Sequence, residues 1–248
     1  MQGEGGKTET EPSHCLFKGE LSMVSDVKKS NCLIVFLDVY GFKAIVGSKD
    51  SIDISNNLCE GYAKIYSFLQ TQEYIPKLYI LSDSIFLCYP IENQTEKLLI
   101  VQKCIDDVKN IMGIFLEINL PLRGGIAYGE ASYNDTLLVG KAVVKAVEYE
   151  GYIPAPLVLL PEREVIENLT GNESGVPPEF KVINTKSGKI SGKIIMPFPI
   201  ENFANAINAK LEKHLRDGPP EVAAAWFYAW EYKEKYLEEL KGHDHERS

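Results

Sequence analysis

Apolar residues along this chain fall into two rhythms, short unbroken runs and longer stripes at helical spacing. Residues 32–39, 77–82 and 84–89 are compact runs of aliphatic and aromatic residues, many of them β-branched, and read as buried strands. Residues 50–70 keep a helical period through Ile54, Leu58, Tyr62, Ile65 and Leu69, with Ser51 placed to cap the first turn. Residues 94–117 carry Leu98, Val101, Ile105, Val108, Met112 and Phe115 on one helical stripe. Residues 120–129 form a further strand with three glycines, Gly124, Gly125 and Gly129. Glycine inside a strand marks close approach of a ligand or another backbone. A loop over 130–139 then leads to Gly140 and a helix over 141–150.

The second part of the chain is less regular. Pro154 and Pro156 end the preceding helix, 158–160 is a strand fragment and 162–169 a short helix. A Gly/Pro loop over 171–178 precedes two strands, 180–183 and 192–198, around Ser187-Gly188. Helices are expected over 200–216 and 221–240, the second rich in Trp and Tyr and read as core or dimer packing. The order is strand, helix, two strands, helix, strand, helix and a strand-rich remainder. This is an α+β layout with helices on a mostly antiparallel sheet, close to a ferredoxin-like core. The domain reading is a loose polar segment over 1–28, a core over 29–200 and a C-terminal helical extension over 201–248.

Two of the strand-like runs contain a carboxylate. Asp38 follows Leu33-Ile-Val-Phe-Leu37, and Asp83 follows Leu78-Tyr-Ile-Leu-Ser82 at the tip of the hairpin. For either residue alone, a turn-capping aspartate is an equal reading. Together they would emerge at one edge of neighbouring strands, where two carboxylates repel unless a cation lies between them. A hard divalent ion held by one or two carboxylates and a substrate phosphate suits that arrangement, which points to nucleotide chemistry.

Arg123, just before Gly124-Gly125, can hold phosphate oxygens with its guanidinium fork, or can be an ordinary strand-start arginine. Gly140 begins a helix, and a glycine there can admit phosphate to free backbone N–H groups. That pattern is weak, because no Walker-type motif accompanies it. Lys141 and Lys145 share a face of the same helix, either toward a ligand or as part of a solvated face paired with Glu148 and Glu150.

Composition narrows the classes. The chain has 248 residues, 45% of them hydrophobic, enough for one large domain. A formal net charge of −9 argues against a nucleic-acid backbone as the main partner but leaves a nucleotide open. Five cysteines at no metal-ligand spacing read as free thiols in a reducing cytosol. The first residues are polar, with no apolar signal-peptide core, and no apolar stretch reaches the ~18 residues of a membrane span. The expected location is therefore the cytoplasm, without membrane attachment.

Phe36-Leu-Asp38-Val-Tyr-Gly41-Phe42 resembles the first metal motif of the class III nucleotide cyclases. Asp83 matches the place of their second metal aspartate, and Leu122-Arg123-Gly-Gly125-Ile126-x-x-Gly129 resembles the strand whose arginine contacts the triphosphate. Gly140 with its helix resembles the segment that follows. The resemblance covers roughly residues 30–150 in the family's order. Ser82-Asp-Ser84, the spacing of Gly140, Ala142, Ala146 and Glu150, and the Trp/Tyr-rich C-terminal helix resemble the bacterial pyrimidine cyclases of Pycsar anti-phage defence.

That resemblance implies a homodimeric enzyme with a class III cyclase core and active sites at the interface. It would use two Mg²⁺ or Mn²⁺ ions, held by Asp38 and Asp83, to convert UTP or CTP into a cyclic monophosphate that acts on a separate effector. Catalysis would rest on Asp38, Asp83, Arg123 and Lys145, and substrate binding on Phe42, Tyr79, Arg123 and Gly140. Tyr79 stands where some relatives place the lysine that reads adenine, so it is expected either to contact a smaller base or to be a core residue. The chain departs from purine cyclases at Val144 and Glu148, where they carry a transition-state Asn and Arg. Lys145 is the expected replacement by charge and position. The alternative is a cyclase-like domain that binds nucleotide or a partner without turnover. A diguanylate-cyclase-like enzyme is disfavoured, because Leu81-Ser-Asp-Ser-Ile85 lacks the Gly-Gly-Asp/Glu-Glu-Phe hairpin.

Overall fold

A computed structural model of the chain describes residues 26–48, 51–152 and 157–160, and the backbone of two strands at 179–185 and 188–195. The expected helices over 162–169, 200–216 and 221–240, the loop over 171–178, and most of the terminal segments 1–28 and 201–248 lie outside the described residues.

The long strand β1 (Lys28–Val39) carries the first apolar run. After Gly41, with φ of 74°, come the short helix α1 (Phe42–Ser48) and α2 (Ser51–Gln70). Helix α1 was not anticipated, and Ser51 is the first helical residue of α2 rather than the residue before it. The hairpin is β2 (Lys77–Leu81) and β3 (Ser84–Ile91), and a 3₁₀ turn (Gln94–Glu96) opens α3 (Lys97–Glu117). Strand β4 (Leu122–Tyr133) is followed by β5 (Leu138–Val139), α4 (Lys141–Glu150) and β6 (Val158–Leu160). Strands β7 (Glu179–Thr185) and β8 (Gly188–Ile195) form the late hairpin.

The sheet runs β2-β3-β1-β4-β6-β8-β7, with β5 paired to β4. Every pairing is antiparallel except β4–β6. The loop expected over 130–139 is instead the end of β4 and a small hairpin. Lys28 through Asn31 pair with Glu130 through Tyr133, so β1 continues the ladder that the polar composition of 130–133 obscures.

Alternation along β1 separates two apolar layers. Leu33, Val35, Leu37 and Val39 face the main core, where α2 and α3 supply Ile65, Leu69, Val108 and Phe115. Cys32, Ile34 and Phe36 face the second layer, which α4 covers with Ala142 and Ala146. Burying each large side chain in these layers contributes about 1.5–3 kcal/mol. In the main core Asp107 on α3 is buried, but Tyr89 donates a hydrogen bond to it at 2.9 Å and Lys103 is ion-paired to it. The four described cysteines are free thiols. Among the described residues no helix is long and apolar enough to cross a membrane.

Candidate active site

Strand register brings the sequence motifs to one level of the sheet. Asp38, near the end of the central strand, lies opposite Ser84 on β3 and opposite Arg123 on β4. Because Asp38 shares strand parity with Phe36, it belongs to the α4 side of the sheet. Ser84 Oγ donates a hydrogen bond to Asp38 Oδ1 at 2.9 Å. Asp83 sits in the β2–β3 turn directly before Ser84, and Ser82 takes the left-handed conformation (φ 57°) that closes this turn.

Burial holds the Asp38 carboxyl above its ordinary pKa. The Ser84 hydrogen bond opposes that rise, the nearby Asp83 carboxylate adds to it, and Arg123 offsets part of it. Arg123 is occupied on one side by Glu150, the last residue of α4, with which its Nε is ion-paired. Its Cζ also lies 5.1 Å from the centre of the Tyr40 ring, within cation–π range. Arg123, shared with Glu150, offsets only part of the shift that burial and the neighbouring Asp83 carboxylate impose on Asp38.

That donor set bears on a metal. Among the described residues no three His, Cys, Asp or Glu side chains converge as a protein-built metal cage. Asp38 and Asp83 suit the other kind of site, in which Mg²⁺ takes one or two carboxylates and completes its shell with water and substrate phosphate. Burial is the main cause of the raised Asp38 pKa and the Asp83 carboxylate a lesser one, and a divalent ion between the two carboxylates would counter both.

The Asp83 turn is braced from the opposite side of the sheet. Tyr62 on α2 donates a hydrogen bond from its hydroxyl to the Ser82 carbonyl, while its ring packs 5.8 Å from that of Phe115. Tyr62→Phe keeps the ring and removes only the hydrogen bond. It is expected to lower stability by about 1 kcal/mol, measured as a shift in the urea midpoint. An unchanged midpoint would show that the brace contributes nothing.

Tyr79 faces the α4 side, next to Phe86 and Phe36, whose rings lie 4.7 Å apart. Its hydroxyl donates to the Asn134 carbonyl at 2.6 Å, and Lys77 pairs with Asp135 at 2.6 Å. Asn134 Oδ1 in turn accepts from the backbone N–H groups of Thr136 and Leu137. These contacts carry the β4–β5 loop across to β2. Tyr79, Phe86, Asp135, Thr136, Leu138 and Val143 line a cavity of about 510 Å³.

The remaining expected residues are Phe42, Lys145 and Gly140. Phe42 begins α1 and packs against the main core. Lys145 is exposed on α4. A Cβ at Gly140 would come 2.6 Å from the Glu130 carbonyl oxygen and 2.8 Å from Ala131 Cα, so backbone packing accounts for this glycine without a ligand. Gly124 and Gly125 have the same explanation. A side chain on Gly124 would overlap the carbonyl oxygen of Phe36, and one on Gly125 would meet α4 at Ala146 and Tyr149. At Gly124 and Gly125 the close approach that strand glycine marks is of a neighbouring strand and a helix.

Ser84, Tyr40 and Glu150 were not singled out as site residues. Ser84 follows from the hairpin register once Asp38 is placed. Glu150 had a visible signal, since it continues the spacing of Ala142 and Ala146 and so falls on the buried stripe of α4.

The architecture matches solved catalytic domains. The catalytic core of a rhodopsin-guanylyl cyclase with converted specificity, in complex with ATPalphaS, superposes with a TM-score of 0.55 at 13% identity, covering 70% of this chain and all of that one. The adenylyl cyclase CyaB from P. aeruginosa gives 0.55 at 11% identity, covering 70% of this chain and 97% of the other. The guanylate cyclase domain of RhGC from Catenaria anguillulae, in complex with GTP, gives 0.55 at 13% identity, covering 69% and 100%. The fold is that of a nucleotide cyclase core. No protein-family model and no curated protein matches the sequence. At these identities the likeness carries the α+β architecture and its topology, and the chemistry has to be argued from this chain's own side chains.

Proposed function

We propose that the protein is a pyrimidine nucleotide cyclase, converting UTP or CTP to the 3′,5′-cyclic monophosphate and pyrophosphate as a messenger in anti-phage defence. The observation that carries this reading is the placement of Asp38, Asp83 and Arg123 at one end of adjacent elements on a nucleotide cyclase fold. The substrate's 3′-oxygen attacks the α-phosphorus, the bond to the bridging oxygen of the β-phosphate breaks, and pyrophosphate leaves with that electron pair. The 3′-hydroxyl proton passes to solvent. Asp38 and Asp83 would hold two Mg²⁺ or Mn²⁺ ions, which supply a lowered pKa for the hydroxyl and charge neutralisation for the triphosphate.

Arg123 binds the terminal phosphates and the charge that develops on them. The cavity beside Tyr79 and Phe86 takes the base, and its aromatic lining suits stacking on a single pyrimidine ring. Gly140 and the start of α4 lie alongside the substrate. Lys145, which is exposed, assists the transition state in place of the Asn and Arg that Val144 and Glu148 displace. The active form is a cytosolic homodimer with the sites between subunits; exposed Val144 and Val147 on α4 support burial by a second copy. The cyclic product acts on a separate effector protein, with no nucleic acid or membrane involved.

Incubation with each of the four nucleoside triphosphates and Mn²⁺ is expected to yield cyclic UMP or cyclic CMP, resolved by chromatography and mass spectrometry. Cyclic AMP or GMP as the main product would overturn the pyrimidine assignment. The second reading, a binding domain without turnover, is favoured by Val144 and Glu148. It predicts UTP or CTP binding with no cyclic product.

A further inference from the structure

Glu150 occupies an unfavourable place for a carboxylate. It is 8% exposed and ends α4, where the helix presents its partially negative carbonyl end. Burial is the main cause pushing its pKa up; Arg123 opposes that shift and Asp38 adds to it. Among the described residues neither Glu150 Oε1 nor Arg123 Nε has a hydrogen-bond partner other than the other, so the ion pair between them is the compensation each atom has.

Arginine has two separable edges, and here Glu150 meets the Nε edge while the guanidinium carbon lies 5.1 Å from the centre of the Tyr40 ring. The carboxylate and the ring together restrict where the fork can sit. If Arg123 swung away to meet an anion, it would leave a nearly buried charge uncompensated at a helix C-terminus, which is strongly disfavoured. A binding mode that keeps the pair intact avoids this.

We infer that Glu150 is a positioning residue: it stays ion-paired to Arg123 Nε throughout turnover and aims the remaining edge of the guanidinium at the terminal phosphates of the nucleoside triphosphate. This rests on the cyclase reading above. Helix α4 thereby has a direct task, since the Ala142 and Ala146 stripe that seats it on the sheet also sets the depth of Glu150.

The test uses the full chain and a ligand that reaches the same arginine, inorganic pyrophosphate with Mg²⁺, in a double-mutant cycle over Glu150→Gln and Arg123→Ala. Calorimetry is expected to show E150Q binding the Mg²⁺–pyrophosphate complex roughly tenfold more weakly than the parent protein. The KM for UTP or CTP should rise by a similar factor, and kcat should change less. The double variant should bind no more weakly than R123A alone, because both changes remove one contact. Parent-like affinity in E150Q, or a full extra tenfold loss on top of R123A, would overturn the inference. A lowered melting temperature with unchanged affinity would overturn it too, since that is a purely structural role.

Nitrogen NMR of the parent protein gives a check that does not depend on a variant folding. The Arg123 Nε–H signal, assigned by its absence in R123A, should keep its exchange protection when Mg²⁺–pyrophosphate is added. Loss of protection would mean the pair opens, against the inference. A parent protein that makes no cyclic product and binds no Mg²⁺–pyrophosphate would remove the cyclase reading as a whole, whereas an active parent with an unaffected E150Q would remove only the role of Glu150.

Discussion

Asp38→Asn is expected to leave the protein folded and to lower UTP or CTP turnover by about a thousandfold, roughly 4 kcal/mol of transition-state stabilisation. Asparagine retains an oxygen for the hydrogen bond from Ser84 Oγ, which Asp38 accepts at 2.9 Å. The substitution therefore removes the negative charge with little change of shape. Its effect on stability has a definite sign. Burial raises the Asp38 pKa in the folded chain, so above the ordinary carboxylate value the folded state holds a proton that the unfolded state has released. Stability from this group is full below that value and falls as pH rises through the raised pKa. The parent protein in chelator should lose stability across that window, and D38N should lose less, as read from thermal melts between about pH 4 and pH 7. Saturating Mn²⁺ should restore the parent and not the variant, because binding to the folded state alone raises its stability. Retained turnover in D38N would sink the metal-site reading.

Gly124→Ala should destabilise the fold by about 3 kcal/mol. The new methyl would overlap the Phe36 carbonyl oxygen and lie 2.8 Å from Leu37 Cδ2. The Phe36 carbonyl cannot retreat, because it belongs to the central strand, which is hydrogen-bonded on both sides. Gly125→Ala should cost a similar amount by a different route. Its methyl would meet Tyr149 Cβ at 2.5 Å and the Glu150 backbone nitrogen at 2.9 Å, pushing α4 off the sheet. G125A should therefore lose phosphate affinity as well as stability, while G124A should mainly lose stability. Urea denaturation of both variants checks the first point; losses under about 0.5 kcal/mol would contradict it.

These glycines show where sequence reading stops. Strand and helix identities were legible because the apolar periods are strong: the runs at 32–39 and 84–89 and the stripes at 50–70 and 94–117 all appear as expected. Asp38, Asp83 and Arg123 were legible as a group because each stands beside a run whose direction and hairpin partner can be read. The end of β4 was not, because Glu130 through Tyr133 are paired with a polar stretch of β1 that carries no apolar signal. Nor were the causes of the glycines, since a close strand and a close ligand leave the same mark in a sequence. The partner of Arg123 lies 27 positions away and meets it only through the packing of α4 on β4.

The three strands β3, β1 and β4 hold Ser84, Asp38 and Arg123 at one height, and two hydrogen-bonded ladders set that height. A shift of either ladder by one residue would turn its apolar residues to the wrong layer as well as misplace the chemistry. Misregistered molecules are therefore excluded by the same forces that build the core. In practice, a preparation with partial activity should be a mixture of fully competent and unfolded chains rather than a population of weakened ones, and counting bound Mn²⁺ would count the competent fraction.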